Sequence, residues 1–283
     1  MTPISDRVRI SGAGIASRTA MITACARGVH LLTYGRGALL SDWLAWPLTG
    51  GEAENLSNQL RAAFGQAAGP LATSIAARSR VSEDWLEASG AGQYVIMGAG
   101  LDSFAWRQLA GVRVLEIDHP ATQAWKRSRL DKLAIPLPAE LMFLAVDFEV
   151  ESVAAGLERA NLGPAEVFIS WLGVAMYLSA EAIGETLRGL PRCSLAVSYC
   201  QPTELLGGAS REASETFRSL AAQSSEPVIS LFTAGDFAEV LEANGFTVLE
   251  DIGSEEIEAR YGLATLSFER IALASNAGRI EPA

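Results

Sequence analysis

From residue 93 onward, short apolar runs alternate with stretches of helical period, and this alternation limits the fold more than any other feature. Residues 94–97, 112–117, 141–146, 167–171 and 194–199 read as strands. A segment starting near Asp102, then 120–133, 149–160 and 180–190, read as the helices between them. Such repetition implies parallel strands joined by right-handed helical crossovers, hence an α/β, doubly wound sheet. The end of the chain departs from the pattern. A helix over 234–243 is followed by strands over 247–250 and 266–274, with no helix expected between those two. That predicts an antiparallel last pair. The stretch 201–233 interrupts the alternation and reads as an inserted lid.

Residues 1–90 follow another rule and read mostly as helix. Helical stretches are expected over 16–46, with breaks near Gly28 and Gly35, and over 53–64. Gly69-Pro70 reads as a turn, and two short helices follow over 72–78 and 82–88, the second capped by Ser82. The expected organisation is a helical cover, 1–90, on a sheet domain, 91–283. With 283 residues and 49% apolar content, the chain has enough material for one large core.

Charge narrows the function. The formal net charge is −11, without a basic block. Neither nucleic acid nor an anionic membrane is an expected partner. The three cysteines, Cys25, Cys193 and Cys200, form no CxxC pair and are read as reduced and buried. Only two histidines, His30 and His119, are present, so no metal site is expected. Residues 1–10 carry Asp6, Arg7 and Arg9 with no secretory h-region, and the cytoplasm is the expected location. The oligomeric state is left open.

The segment Gly98-Ala99-Gly100-Leu101-Asp102-Ser103 follows the first strand and carries the strongest chemical signal. Glycines let backbone pass close to a ligand, and the helix that follows offers free N–H groups. Asp118, at the end of the second strand, stands where a doubly wound sheet reaches ribose hydroxyls. Asp147 and Phe148, past the third strand, suit an adenine amine and face. A dinucleotide fits poorly. Ser103 stands where the third glycine would be, and Asp102 puts negative charge where a pyrophosphate would lie. A cationic, phosphate-free adenosine ligand such as S-adenosylmethionine suits acids better. Ser11-Gly12-Ala13-Gly14 resembles the same turn but lacks a preceding strand and a ribose acid, and reads as a loop.

These residues, together with Ser17-Arg18-Thr19-Ala20, 77–85, Glu116-Ile117-Asp118-His119-Pro120 with Lys126, 173–178 and 268–273, are similar to the leucine carboxyl methyltransferase-like family of S-adenosylmethionine-dependent methyltransferases. The bacterial branch of that family includes polyketide carboxyl O-methyltransferases. The resemblance implies a seven-stranded class I methyltransferase sheet with an N-terminal helical cover and a lid. It implies that Arg78 holds the methionyl carboxylate, that Gly98, Ala99, Gly100 and Asp102 line the cofactor, that Asp118 binds ribose, and that Asp147 and Phe148 contact adenine. Where the family motif after the fourth strand usually begins with Glu, this chain has Leu172. Two readings follow: the cofactor is held without that acid and transfer survives, or transfer is altered or lost.

A carboxylate acceptor is ionised at neutral pH and needs no general base, which agrees with so few histidines. The expected acceptor is a small-molecule or peptide carboxylate. No general base is assigned. Tyr177, Tyr199, Arg18, Arg27, Trp43 and Trp46 are the side chains considered for an acceptor pocket.

Overall fold

The computed structural model describes residues 16–108, 111–147, 151–163, 165–223 and 226–277. The loop 11–14 and Phe148 lie outside the described residues. Four helices open the chain: α1 (Arg18–Tyr34), α2 (Ala45–Leu48), α3 (Ala53–Phe64) and α4 (Ala68–Ser89). The alternating region follows as β1 (Gln93–Met97), α5 (Phe104–Arg107), β2 (Arg113–Asp118), α6 (Pro120–Lys132), β3 (Leu141–Ala145), α7 (Val153–Ala160), β4 (Val167–Trp171), α8 (Ala180–Arg188) and β5 (Ser194–Cys200). Then come α9 (Gly208–Gln223), α10 (Ala234–Ala243), β6 (Thr247–Ile252), α11 (Ser254–Tyr261) and β7 (Glu269–Ser275).

The seven strands form one sheet in the order β3-β2-β1-β4-β5-β7-β6. The first five pair in parallel. The strand β7 runs antiparallel to β6, as the sequence predicts, and also to β5. The order reverses between β1 and β4, and ligands of open α/β sheets bind outside the carboxyl ends at that switch.

Side chains alternate across the strands, so one face presents Val95, Met97, Ile169, Leu195 and Val197. They pack with Val153 and Leu157 of α7, Ile183 and Leu187 of α8, and Phe237 and Leu241 of α10. The other face presents Tyr94, Ile96, Val114, Phe168 and Ala196 against Val81 and Trp85 of α4, Phe104 of α5 and Ile257 of α11. Phe168 is wholly buried, and such an aromatic typically contributes about 3–5 kcal/mol relative to alanine. A third cluster joins α1, α3 and α4 to Phe268, Met176 and Leu206, and so binds the cover to the strand ends.

Five local expectations are corrected. Gly69 and Pro70 fall in the first turn of a single continuous helix, α4, where a missing proline N–H costs nothing. Ser82 is therefore a buried mid-helix residue and not a cap. Gly28 does not break α1; its bare Cα admits Trp46, whose Cε3 would lie 3.1 Å from an added Cβ. The helix expected from Asp102 is one turn, Phe104–Arg107. A helix, α11, does join β6 to β7. Its sequence is polar, with Ile257 its buried residue, which leaves little periodicity to read. Among the described residues, no helix is long and apolar enough to cross a membrane.

Candidate functional site

The glycine loop leaves β1 at the switch point. The N–H groups of Gly98 and Ala99 both donate to the Ile117 carbonyl, at 2.9 and 3.1 Å, which ties the loop to β2. Gly98 has φ +67° and Gly100 φ +53°, a region that L side chains rarely occupy. Contacts also require the two glycines. A Cβ on Gly98 would stand 2.5 Å from Val174 Cγ2, and one on Gly100 3.1 Å from the Cβ of Ala20 on α1. Asp102 closes the turn: its N–H donates to the Ala99 carbonyl at 2.8 Å, and its carboxylate accepts the Phe104 N–H at 2.7 Å.

Asp118 ends β2 beside this loop. Its carboxylate accepts the Gly100 N–H at 2.5 Å and the His119 N–H at 2.7 Å. Burial lifts its pKa above the ordinary value, and these two backbone bonds act in the opposite direction. A carboxylate offers about four acceptor positions, so two stay available for a diol. His119 caps α6, its Nδ1 accepting the Ala121 N–H at 3.2 Å, and its Nε2 stands 3.9 Å from Asp147. Asp118, His119 and Asp147 thus line the carboxyl ends of β2 and β3.

On the other side of the switch, Arg78 of α4 reaches the end of β4. Its Nη1 contacts both carboxylate oxygens of Glu269, at 2.9 and 3.2 Å. An added Cβ on Gly173 would lie 2.7 Å from Arg78 Nη2, so the guanidinium rests against the backbone next to Val174. The chain of contacts Arg78–Gly173–Val174–Gly98 brings the arginine to the glycine loop. Leu172 is half-buried and packs on the apolar cluster that includes Ala77 and Phe168.

A covering layer meets over these groups. Ser17 Oγ donates to Glu226 at 3.3 Å, and Thr19 Oγ1 donates to the other oxygen of the same carboxylate. The Ser17 N–H donates to Thr122 of α6 at 3.3 Å. The 201–233 segment therefore closes on the start of α1, above the loop. The N–H groups of Ile229 and Ser230 donate to the Met176 carbonyl at 2.8 and 3.2 Å. Phe217 of α9 packs between Tyr177 and Phe268, with ring centroids 6.5 and 5.9 Å away. The Tyr177 hydroxyl has its pKa raised by burial first, with Glu226 adding to it.

Several side chains considered for an acceptor pocket have other roles. Tyr199 stacks on Phe237 and donates to Asp251 at 2.7 Å, inside the core. Arg18 donates to Gln59 on an exposed surface. Arg27 is buried on Asp42 and the Leu101 carbonyl, both at 2.7 Å. Trp46 packs on Gly28, and Trp43 is half-exposed. The sequence reading gave no role to Ala20, Glu226 or Glu269. Ala20 and Glu269 do lie inside motifs that carried the resemblance.

The leucine carboxyl methyltransferase family model matches residues 20–190. The Bacillus subtilis (strain 168) protein YktD is 31% identical over 176 residues, 59% of this chain and 58% of that protein. A protein of Parafrankia sp. (strain EAN1pec) is 29% identical over 247 residues, 84% of this chain and 74% of its own length. Both names mark candidate S-adenosyl-L-methionine-dependent methyltransferases. The match thus spans under two thirds of YktD. A DUF574 family protein from Streptomyces avermitilis has the same fold, with a TM-score of 0.58, 14% identity, and coverage of 92% of this chain and 97% of that one. The family match extends from α1 to the end of α8, through the ends of β1 to β4 that carry the glycine loop, Asp118, Asp147 and Gly173, and the chain belongs to the leucine carboxyl methyltransferase family.

Proposed function

We propose that this protein is an S-adenosylmethionine-dependent O-methyltransferase acting on a carboxylate of a small-molecule or peptide acceptor. The observation that carries the reading is the unbroken arc Arg78–Gly173–Val174–Gly98–Gly100–Asp118 along the strand ends. Its donor set fits the cofactor. Asp118 has acceptor capacity left for a ribose diol, Arg78 contacts Glu269 through Nη1 and keeps Nη2 for a carboxylate, and Asp147 lies past β3 for an adenine amine. Phe148 and Asp102 belong to the same proposed set, Asp102 through the loop that it closes.

When bound, S-adenosylmethionine supplies an electrophilic methyl group on a sulfonium. The protein's part is alignment and exclusion of water, which together can supply most of the barrier reduction. The segment around Glu226 and the start of α1 exclude water above the glycine loop. Tyr177, Phe217 and Phe268 form an aromatic wall beside Arg78 and Glu269. Tyr177 stays protonated and can donate to an acceptor oxygen. No residue has to remove a proton if the acceptor is a carboxylate. His30 is no base for the reaction: it is fully buried, accepts the Leu39 N–H, and has its pKa lowered to about 4 by burial. Arg78 keeps Glu269 as its counter-charge without an acid at position 172, which supports retained transfer. The buried, free cysteines suit a reducing compartment, and the cytoplasm is the proposed location.

Calorimetry with S-adenosylhomocysteine, S-adenosylmethionine and NADH tests the site. Asp118→Ala and Arg78→Ala are each expected to weaken the first two by about tenfold or more, roughly 1.4 kcal/mol. Unchanged affinity in both variants, or tight NADH binding instead, overturns the assignment. For the acceptor class, label transferred from methyl-labelled cofactor is expected to be released as methanol by mild alkali, as from an ester. Alkali-stable label points to an ether or amine product. Cofactor binding without transfer to any carboxylate favours lost activity.

A further inference from the structure

The glycine loop is held from above as well as from below. Ala20, Ala24 and Arg27 lie at i, i+4 and i+7 on one face of α1, so the helix runs along the loop. Ala20 covers Gly100, and two turns later the Arg27 Nη2 donates to the Leu101 carbonyl at 2.7 Å. The Nε of Arg27 donates to Asp42 Oδ2, also at 2.7 Å. Asp42 Oδ1 accepts the Ala45 N–H at 3.0 Å and the hydroxyl of Ser103. Arg107 Nε donates to Ser103 Oγ at 2.9 Å. Arginine has only donors, so the hydroxyl accepts from Arg107 and its own proton points to Asp42. The two terminal nitrogens of Arg107 then grip Glu83 of α4 at 3.0 and 2.7 Å.

The charges sum to zero, and the side chains are nearly sealed from solvent, at 7% and 0% exposure for Arg27 and Asp42 and 9% and 16% for Arg107 and Glu83. Sealed charges of this kind seldom add net stability over a well-packed apolar set. What an apolar set would lack is directed bonds to the loop. The network ends on the Leu101 carbonyl and the Ser103 hydroxyl, the two residues that flank Asp102. Gly100, immediately before them, presents its N–H to Asp118. The Leu101 carbonyl shares its peptide with the Asp102 N–H, which donates to the Ala99 carbonyl at 2.8 Å; turning that peptide would open the turn that aims the Gly100 N–H at Asp118.

We propose that Asp42, Arg27 and Ser103 are positioning residues for cofactor binding: they set the orientation of the 98–103 loop and, through Gly100, the aim of Asp118. This rests on the reading that the loop holds the cofactor. None of the three has to touch the ligand. The N-terminal helices would then be part of the cofactor site and not only a cover for the acceptor.

The test uses the full chain as Ser103→Ala, Ser103→Thr and Arg27→Lys. S-adenosylhomocysteine is titrated by calorimetry, amide exchange is followed over 97–103 in the cofactor-free protein, and thermal unfolding is recorded. Ser103→Ala is expected to weaken binding about tenfold and to speed exchange of the loop amides. Ser103→Thr, which keeps the hydroxyl, is expected to restore both. Arg27→Lys keeps the charge on Asp42 but cannot also reach Leu101, and is expected to behave like Ser103→Ala with a Tm close to wild type. If Ser103→Ala lowers the Tm yet leaves binding and loop exchange unchanged, the network is merely structural and the proposal falls. Asp118→Ala separates the two readings. If it also leaves affinity unchanged, the loop is not the cofactor site and both fall; if it weakens binding while Ser103→Ala does not, only the positioning role falls.

Discussion

Glu116 and Lys126 meet across 10 residues of sequence, on β2 and α6, whereas Arg27, Asp42, Ser103, Arg107 and Glu83 are gathered from the N-terminal helical cover, the glycine loop and α5. Both ionic assemblies are buried and both stand beside the loop, but they are finished differently. Every carboxylate oxygen of Asp42 has a partner. Burial raises its pKa, and Arg27, Arg107 and Ser103 outweigh that and hold it below the ordinary value. Glu116 leaves Oε1 without a partner, and burial pushes its carboxyl up to about 7 although Lys126 pulls it down. Lys126 also lies over the rings of Trp106 and Phe143, 5.3 and 5.8 Å from their centroids. Asp42, with both oxygens bonded, is therefore held in its charged form, while Glu116, with one oxygen bare, titrates within the physiological range. The bonds of Asp42 to Arg27 and Ser103 are thereby insulated from pH, whereas burial raises the pKa of Glu83, at the other end of the assembly, although Arg107 pulls it down.

The largest loss is expected from Lys126→Met, which strands Glu116 in the interior. Removal of one partner from a buried pair typically costs about 3–5 kcal/mol, and urea unfolding at pH 8 is expected to read a loss of that size. The double variant Glu116→Gln/Lys126→Met is expected to recover most of it. A single-variant loss below about 1 kcal/mol would mean that the pair is not sealed as described.

Two buried groups, Glu116 and His30, make stability depend on pH in opposite senses. The Glu116 pKa is higher folded, about 7, than its ordinary 4.5, so between those values the folded chain binds more protons and stability falls as pH rises. His30 has the opposite sign. Its pKa is lowered from 6.5 to about 4, so its contribution is complete above pH 6.5 and is lost as pH falls toward 4. Each can change stability by up to about 1.4 kcal/mol per pH unit. The two oppose each other over roughly pH 4.5–6.5, and the wild-type profile is expected to be shallow there. Glu116→Gln should unmask a rise with pH, and His30→Phe a fall. Profiles parallel to wild type in both variants would remove these groups as the source.

Smaller effects come from single contacts. Ser103→Ala is expected to cost about 1–2 kcal/mol, because Asp42 and Arg107 lose a bond inside the protein. Leu172→Glu, at a half-buried strand end beside Arg78, is expected to cost about 1–2 kcal/mol and to leave cofactor binding intact. Abolished binding in that variant would show that leucine is required there.

Much of the sheet was legible because each strand is a short apolar run between polar or glycine-rich breaks. Residues 167–171 and 234–243 were read with the boundaries the structure has. The glycine loop, Asp118 and Asp147 were legible for a related reason: each immediately follows a strand that could be recognised. Arg78 came from the resemblance and not from periodicity. What escaped depends on pairs far apart in the chain. Arg78 finds Glu269 across 191 residues, and Thr19 finds Glu226 across 207, separations on which no local period bears. Arg27 was read as a possible acceptor contact because a lone arginine on an apolar helix does not announce that an aspartate 15 residues later will seal it. The single long α4 was missed because Gly and Pro are punctuation inside a helix but harmless in its first turn.

The placement of α1 has a consequence for the order of assembly. The helix is made early, yet its partners come late: Leu101 is 74 residues beyond Arg27, and Glu226 is 207 residues beyond Thr19. At about 5–20 residues per second, Glu226 leaves the ribosome roughly 10–40 s after the helix it receives. During that interval α1 can pack on α4 but has no roof to complete. Among the described helices, α1 thus has its contacts completed only when Glu226 arrives, and until then the 98–103 loop has α1 above it but no lid.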